Sequence, residues 1–323
     1  MFVSFLMGGF LVIKSLSKYK DQVTLQFMAL SGIVYIIIFC FIPMYGLIIA
    51  FKNYDFGIGI MKSPWIGLKH FIELFNDNDI SMVVQNTIIL NFMKLLVCFP
   101  ITIAFAILLD EVPSRRFATI VQTVSYFPHF ISWVVISLVI QYWFSPEYGM
   151  INVLLQSIGL IKKPMTILTD PESFYWLATI SETWKETGWS AIIFLAAIAG
   201  INPNIYEAAM VDGASRYQKI RYITIPSITN AIIIVFILNF ANLLNGIGGS
   251  FDQSFFLGNA MNYEKSIILS TYVLKIGVGL GRFSYAAAVG LLNSVVSMCI
   301  LLVCNFISRR FLNRSLYEVV EVQ

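Results

Sequence analysis

The sequence predicts an all-α, polytopic membrane protein with about six transmembrane helices and a helix-turn-helix in the loop between spans four and five. Three observations carry this expectation. Of the 323 residues 58% are hydrophobic and only 12% charged, and the mean hydropathy of +0.79 is too apolar for a soluble domain. Several apolar runs reach the roughly 20 residues needed to cross a bilayer. One charged interruption, EAAMVDGASRYQKIRYITIP at 207–226, separates two strongly apolar stretches.

Taken in order, residues 1–13 (MFVSFLMGGFLVI) are apolar but too short to span, and they precede Lys14, Lys18 and Lys20. A secretory signal would place its charges first, so residues 1–24 read as an interfacial or cytoplasmic N-terminal segment, with an overextended start as the alternative. The first span is expected at 25–50, kinked near Pro43 and Gly46, since neighbouring helices re-satisfy a broken backbone. An outer loop at 52–79 includes an amphipathic stretch at 65–75 suited to a membrane surface. Further spans are expected at 82–108, at 119–144 with Pro128 and His129, at 174–200, at 228–250 and at 283–308. The membrane domain is therefore 25–308, followed by a tail at 309–323. Segment 266–280 is short, contains Lys275 and two glycines, and reads as an external surface helix rather than a seventh span.

Charge orients the chain. Lys14, Lys18 and Lys20, the pair Arg115 and Arg116, then Arg216, Lys219 and Arg221, and finally Arg309, Arg310 and Arg314 fall on one face of this topology. By the positive-inside rule that face, with both termini, is cytoplasmic. The net charge of +3 is small and its basic residues are scattered, so no nucleic-acid partner is implied. Cys40, Cys98, Cys299 and Cys304 sit in apolar runs without metal-ligand spacing, and no metal is expected.

Within the charged interruption, Asn202 followed by Pro203 is a helix start. Ile205, Ala208, Ala209 and Val211 give a small-residue face, Glu207 and Asp212 stay polar, and Gly213 permits a turn. Tyr217, Ile220 and Ile223 or Ile225 then recur at helical spacing, and Pro226 is expected to end the unit. The product is a helix-turn-helix over 201–226 whose alanines let a partner approach closely.

No catalytic set appears. GIGIMKS at 57–63 lacks the glycine that a phosphate loop places before its lysine, so ATP is not bound by that motif. The spans do carry ionisable residues, which are costly in hydrocarbon and belong in a protein interior or a wet cavity. Glu182 with Lys185 or Glu186 is spaced for an intrahelical pair, flanked by Trp184 and Trp189. Asn239, Asn242 and Asn245 repeat every third residue. Together Glu182, Trp184, Lys185, Trp189, Asn239, Asn242 and Asn245 form a candidate sugar path of polar groups and aromatic faces. The alternatives are an aromatic belt with snorkelling charges for the first four and helix–helix glue for the asparagines. A different function class, a proton-coupled carrier, would use Lys94, His129, Glu182 and Glu186 as a relay. It usually shows an internal repeat, and none is evident. A non-transporting receptor or scaffold would need no such loop.

Glu207, Ala208, Ala209, Gly213, Ile223 and Pro226 resemble the EAA loop of the permease subunits of binding-protein-dependent ABC importers: EAA, three residues, Gly, nine residues, Ile-x-Leu-Pro. Ile225 stands where that pattern has Leu. The stretches IPMYGLIIAFKNYD (42–55), FPHFISWVV (127–135), WKETGWSAIIFLAAIAGINPNIYEAA (184–209), and FDQSFFLGN, STYVLK and FSYAAAVGLLNS (within 251–294) are similar to one subgroup. It is the sugar permeases related to the lipoprotein-linked polysaccharide transporters of Gram-positive bacteria. The resemblance implies that 203–225 is a coupling helix seated in a cytoplasmic ATPase, with Glu207, Ala208, Ala209, Asp212, Gly213, Ile223 and Pro226 at the contact. It also implies a second homologous permease, two ATPase copies that hold the ATP and Mg, an extracytoplasmic binding protein, surrounding membrane lipid and an oligosaccharide substrate. The chain itself would be a non-enzymatic subunit in a bacterial cell membrane working by alternating access. Importers of non-sugar solutes share the general loop.

Overall fold

The computed structural model describes residues 22, 23 and 25–312. The expected 1–13 helix, Lys14, Lys18, Lys20 and Arg314 lie outside the described residues. The chain divides into two compact units, Met1–His70 and Phe71–Gln323.

In the first unit, helix α1 (Leu25–Phe51) changes pitch where the kink was expected. A π-turn at Ile37–Phe41 precedes Pro43, and the chain then tightens into a 3₁₀ segment at Tyr45–Phe51. Pro43 has no N–H to close the α ladder, and the two altered turns absorb that loss. Beyond it Lys52 pairs with Trp65 in an isolated antiparallel bridge, and Lys52 Nζ donates to the Ile60 carbonyl at 2.7 Å. The amphipathic stretch expected at 65–75 is helical only over Lys69–Phe75, α2, of which Phe71–Phe75 belong to the second unit.

The second unit is built on two long helices, α3 (Asn78–Asp110) and α7 (Phe174–Ala199), which pack along one another. The Asp77 carboxylate caps α3 by accepting from Asp79 N at 3.0 Å, satisfying one of the orphan donors of the first turn. Between them, α4 (Arg115–Phe130) and α5 (Trp133–Phe144) meet at a 93° bend. The expected straight span at 119–144 is therefore broken: Pro128 and His129 lie in a 3₁₀ turn, Ile131 is extended, and Ser132 caps the second half. The polar loop after it contains a short helix, α6 (Met150–Ser157). Helix α7 turns by 70° into α8 (Pro203–Val211), and α9 follows as one helix, Arg216–Ala241.

Two expectations are corrected here. The fifth span was expected at 228–250, but the helix that carries it begins at Arg216 and stops at Ala241. Pro226 does not end the loop unit, because the helix runs through it. A π-turn at Ile220–Thr224 sits immediately before the proline and widens the ladder where an N–H is missing. The start is fixed by a capping box, with Ser215 and Gln218 exchanging side-chain and backbone bonds.

The remaining chain forms α10 (Ser250–Leu257), α11 (Tyr263–Ser266), α12 (Leu269–Leu274) and α13 (Phe283–Leu312). Segment 266–280 is no seventh span: α12 has 6 residues and the π-turn after it 5. Neither is it a surface helix, since Ile267, Ile268, Leu269 and Tyr272 are buried. Asn86 donates to the Ile267 carbonyl at 3.0 Å, and Leu269 N donates to Thr87 Oγ1 at 2.8 Å, which dock it on α3. Among the described residues four helices (α1, α3, α9 and α13) are long and apolar enough to cross a bilayer, and up to six spans result if each bent pair counts as one.

Three apolar clusters hold the second unit. Leu74, Val83, Tyr272, Tyr285 and Val289 join α2, α3, α12 and α13. Leu90, Trp133, Ile136, Phe174, Ala178 and Ile268 occupy the middle. Ala106, Ile107, Ala191, Phe194, Ile198 and Ile228 close the end nearest α8.

Candidate functional site

Two regions stand out, one inside the helices and one outside them. Inside, α3, α7 and α9 surround a cavity of about 470 Å³. Glu182, Glu186, Trp189 and Ile193 recur at i, i+4, i+7 and i+11 on α7, and all four line it, as helical periodicity requires. Cys98, Phe99 and Thr102 of α3 and Val235 and Asn239 of α9 face them. The end remote from α8 is closed by Lys94, Glu182, Ile247 and Gly248.

That end is a buried polar network. Lys94, fully buried, lies 3.4 Å from the Glu182 carboxylate. Its Nζ also donates to Ser250 Oγ (2.8 Å), Gln253 Oε1 (2.5 Å) and the Ile247 carbonyl (3.2 Å). Glu182 in turn accepts from Gly249 N at 3.1 Å. Asn91, one turn before Lys94, accepts from Ile247 N at 2.8 Å and Ser250 Oγ at 2.7 Å. An ammonium has three donors and a carboxylate several lone pairs. A buried pair is tolerable only when those are satisfied, as here.

A second cluster lies one turn along α7. Glu186 accepts from Lys185 Nζ at 3.1 Å and pairs with His129 Nδ1 at 2.7 Å. Lys185 Nζ also donates to the His129 carbonyl at 2.5 Å, and Trp189 stacks on the His129 ring with centroids 4.4 Å apart. Lys185 thus fastens the bend between α4 and α5 to α7.

The expected path residues separate accordingly. Glu182, Trp189 and Asn239 line the cavity. The intrahelical pairing of Glu182 with Lys185 or Glu186 is not formed, because Glu182 is engaged across the helices by Lys94. Lys185 is buried behind the lining. Trp184 lies on another face of α7 with Trp176 and Ile180, at an apolar groove shared with Val135 and Trp143 of α5. The asparagine stripe is also broken, since α9 ends at Ala241. Asn242 is its cap residue, donating to the Leu238 carbonyl at 2.9 Å, and Asn245 accepts from Asn293 of α13 at 2.7 Å. The proposed relay residues fall into two groups, Lys94 with Glu182 and His129 with Glu186.

Outside, α8 and the start of α9 form an exposed unit. Asn202 caps α8 by accepting from Asn204 N at 3.0 Å. Gly213 has φ +76°, a left-handed conformation that a side chain resists. Tyr206 and Thr224 share a hydrogen bond of 2.9 Å, which ties the two helices together. Glu207, Ala208, Asp212 and Pro226 are exposed, and Ala209 and Ile223 are half-buried. Val211 is 88% exposed, and Met210, Tyr217 and Tyr222 are exposed around it.

The family model described as a binding-protein-dependent transport system inner membrane component matches residues 86–313. The chain belongs to this family. It is 37% identical over 302 residues to the polygalacturonan/rhamnogalacturonan transport system permease protein YteP of Bacillus subtilis (strain 168), covering 94% of this chain and 92% of the relative. It is 29% identical over 281 residues to the lactose transport system permease protein LacF of Rhizobium radiobacter, covering 85% and 90%. Its fold matches a chain of the crystal structure of a bacterial ABC transporter involved in the import of the acidic polysaccharide alginate, with a TM-score of 0.82 and 36% identity over 92% of this chain and 99% of that one. A second match of equal score, covering 98% of the other chain, is to the alginate transporter in complex with an alginate pentasaccharide-bound periplasmic protein. As a member of this family the chain is a multi-pass membrane permease component.

Several residues at the cavity were not legible as site residues. Asn91 with Lys94, one turn apart in an apolar run, was the available signal for the network. GIGGS at 246–250 was a second, since such a glycine-rich stretch ends helices and lets backbone approach side chains.

Proposed function

We propose that this chain is one permease subunit of an ATP-driven importer that passes an oligosaccharide across the cell membrane by alternating access. The observation that carries the reading is the exposed 203–226 unit. Its apolar side chains, Met210, Val211, Tyr217 and Tyr222, lie beyond a rigidly capped pair of helices. In a family of transport components such a face calls for a protein partner, and the EAA pattern assigns that partner as the ATPase. ATP is held and hydrolysed there rather than in this chain. A second permease completes the pathway, an extracytoplasmic binding protein delivers the substrate, and both termini face the cytoplasm with α8. The sugar assignment rests on the relatives, whose names and descriptions cite polygalacturonan, rhamnogalacturonan, lactose and alginate. It is supported by the cavity, where Trp189 offers an aromatic face beside Asn239, Ser190 and Glu186.

The test begins with the tagged chain purified from its native membrane. An ATPase and a second permease are expected to copurify, with turnover stimulated by a binding protein loaded with one oligosaccharide. Glu207→Lys or Gly213→Pro is expected to leave the chain in the membrane while separating hydrolysis from uptake. A chain that purifies alone and transports under a proton gradient would overturn the reading, as would normal uptake by either variant.

A further inference from the structure

Segment 242–250, between α9 and α10, is held in place by atoms that have no other evident use. Lys94 grips it through the Ile247 carbonyl and Ser250 Oγ, Glu182 through Gly249 N, and Asn91 through Ile247 N and Ser250 Oγ. Its glycines are shaped to that grip. Gly248 has φ +56°, and a Cβ there would overlap the Glu182 carboxylate; a Cβ on Gly249 would overlap the Trp133 indole. The segment lies at one end of the cavity only. From Lys94, the lining of α3 runs through Cys98 to Thr102, and from Glu182 the lining of α7 runs through Glu186 to Phe194, both toward α8. Ile247 and Gly248 therefore close the cavity at the end away from α8.

We infer that the Lys94–Glu182 pair is a clasp that holds segment 242–250 across the cavity as its extracytoplasmic door, so that opening outward requires this network to come apart. Lys94 and Glu182 are positioning residues, acting on substrate access through the backbone at 247–249. The assignment of the outer side rests on the importer reading above; the clasp itself rests on the contacts. A buried pair suits such a device. Each partner left alone in a dry site is strongly disfavoured, so the closed state is well populated until the door and its charges become hydrated together.

Cys98 lines the cavity just behind the door and serves as the reporter. The complete transporter, with Cys40, Cys299 and Cys304 replaced by alanine, is reconstituted in liposomes, and a membrane-impermeant maleimide is applied to one side at a time without nucleotide or binding protein. In the parent, Cys98 is expected to label slowly from the extracytoplasmic side. Glu182→Gln keeps an acceptor for Gly249 N but removes the charge pair, and should speed labelling from that side by about tenfold or more. Gly248→Ala keeps both charged residues but puts a Cβ where the Glu182 carboxylate lies, so it breaks the same hold by crowding and gives a second opening should Glu182→Gln fail to assemble. Labelling from the α8 side should stay unchanged in both. A merely structural role would lower complex yield without moving the sided rate. Unchanged extracytoplasmic labelling in the assembled variants overturns the clasp. Acceleration confined to the α8 side leaves the clasp standing and overturns the orientation that the importer reading supplies.

Discussion

Glu182 and Val211 lie on neighbouring stretches of one chain and show opposite treatments of a costly side chain. At Glu182 a charge is buried to 3% exposure and met by Lys94 and Gly249 N. At Val211 a hydrophobe is left 88% exposed at the tip of a capped helix. The first arrangement is complete within the chain, and disturbing it should cost folding energy. The second, on the function proposed above, is completed by a partner, and disturbing it should then cost assembly while leaving the fold intact. The comparison separates residues that shape the chain's own states from residues that join it to something else.

The sharpest way to break the comparison is to unpair the buried charges. Lys94→Met should lower the stability of the purified complex by about 3–5 kcal/mol, whereas Lys94→Met combined with Glu182→Leu should recover most of the loss. Thermal denaturation of the three proteins decides this; a double variant as unstable as the single would show that packing, not the stranded carboxylate, sets the cost. On the exposed side a smaller effect is expected. Asn202→Ala removes the cap of α8 and should cost about 1 kcal/mol locally, read as faster amide exchange over 204–206, while Asn202→Ser should restore it. Equal exchange in the alanine variant would mean that Pro203 alone fixes the start.

The smallest effect is a pH dependence at the edge of the second unit. Burial pushes the Asp77 carboxyl up, but hydrogen bonds from Tyr272 (2.5 Å) and Tyr285 (2.6 Å) outweigh it and hold the group below its ordinary value. Burial also drives the Tyr272 hydroxyl up to about 12, so it stays a donor at neutral pH. A depressed carboxyl stabilises fully above its unfolded pKa of about 3.9 and loses that contribution as pH falls through the lower folded value. Asp77→Asn should therefore lower the melting temperature at pH 7, where that contribution is fully present, and flatten its fall below about pH 4. A parent and variant that lose stability in parallel on acidification would assign the acid sensitivity elsewhere.

How far the sequence carried these results differs by region. The helix start at Asn202–Pro203 and the turn at Gly213 were legible because each is decided by a residue and its immediate neighbours. The continuity through Pro226 was not, since a proline reads as a stop unless the π-turn before it is known. Single-helix periodicity placed Glu182 correctly toward an interior but paired it with Lys185 or Glu186, the ionisable residues nearest to it on the same helix. The true partner, Lys94, is 88 residues away, and only the packing of α3 against α7 brings them together. The asparagines divide between the two readings: Asn239 lines the cavity, while Asn245 bonds Asn293 of α13 as helix–helix glue would, because a period of three has meaning only while the helix lasts and α9 ends before Asn242.

Arg216–Ala241 is a single helix of 26 residues, about 39 Å long at 1.5 Å per residue, and it is stitched to α8 at one end by Tyr206 and Thr224. Its other end runs directly into segment 242–250. A rod of that length pivoting by about 5° carries its tip roughly 3 Å, as much as separates a hydrogen-bonded pair from a broken one. Under the proposed clasp, a modest swivel at the Glu207 end is enough to strain the hold of Lys94 and Glu182 at the other, and the stiffness of α9 sets how much of that swivel arrives.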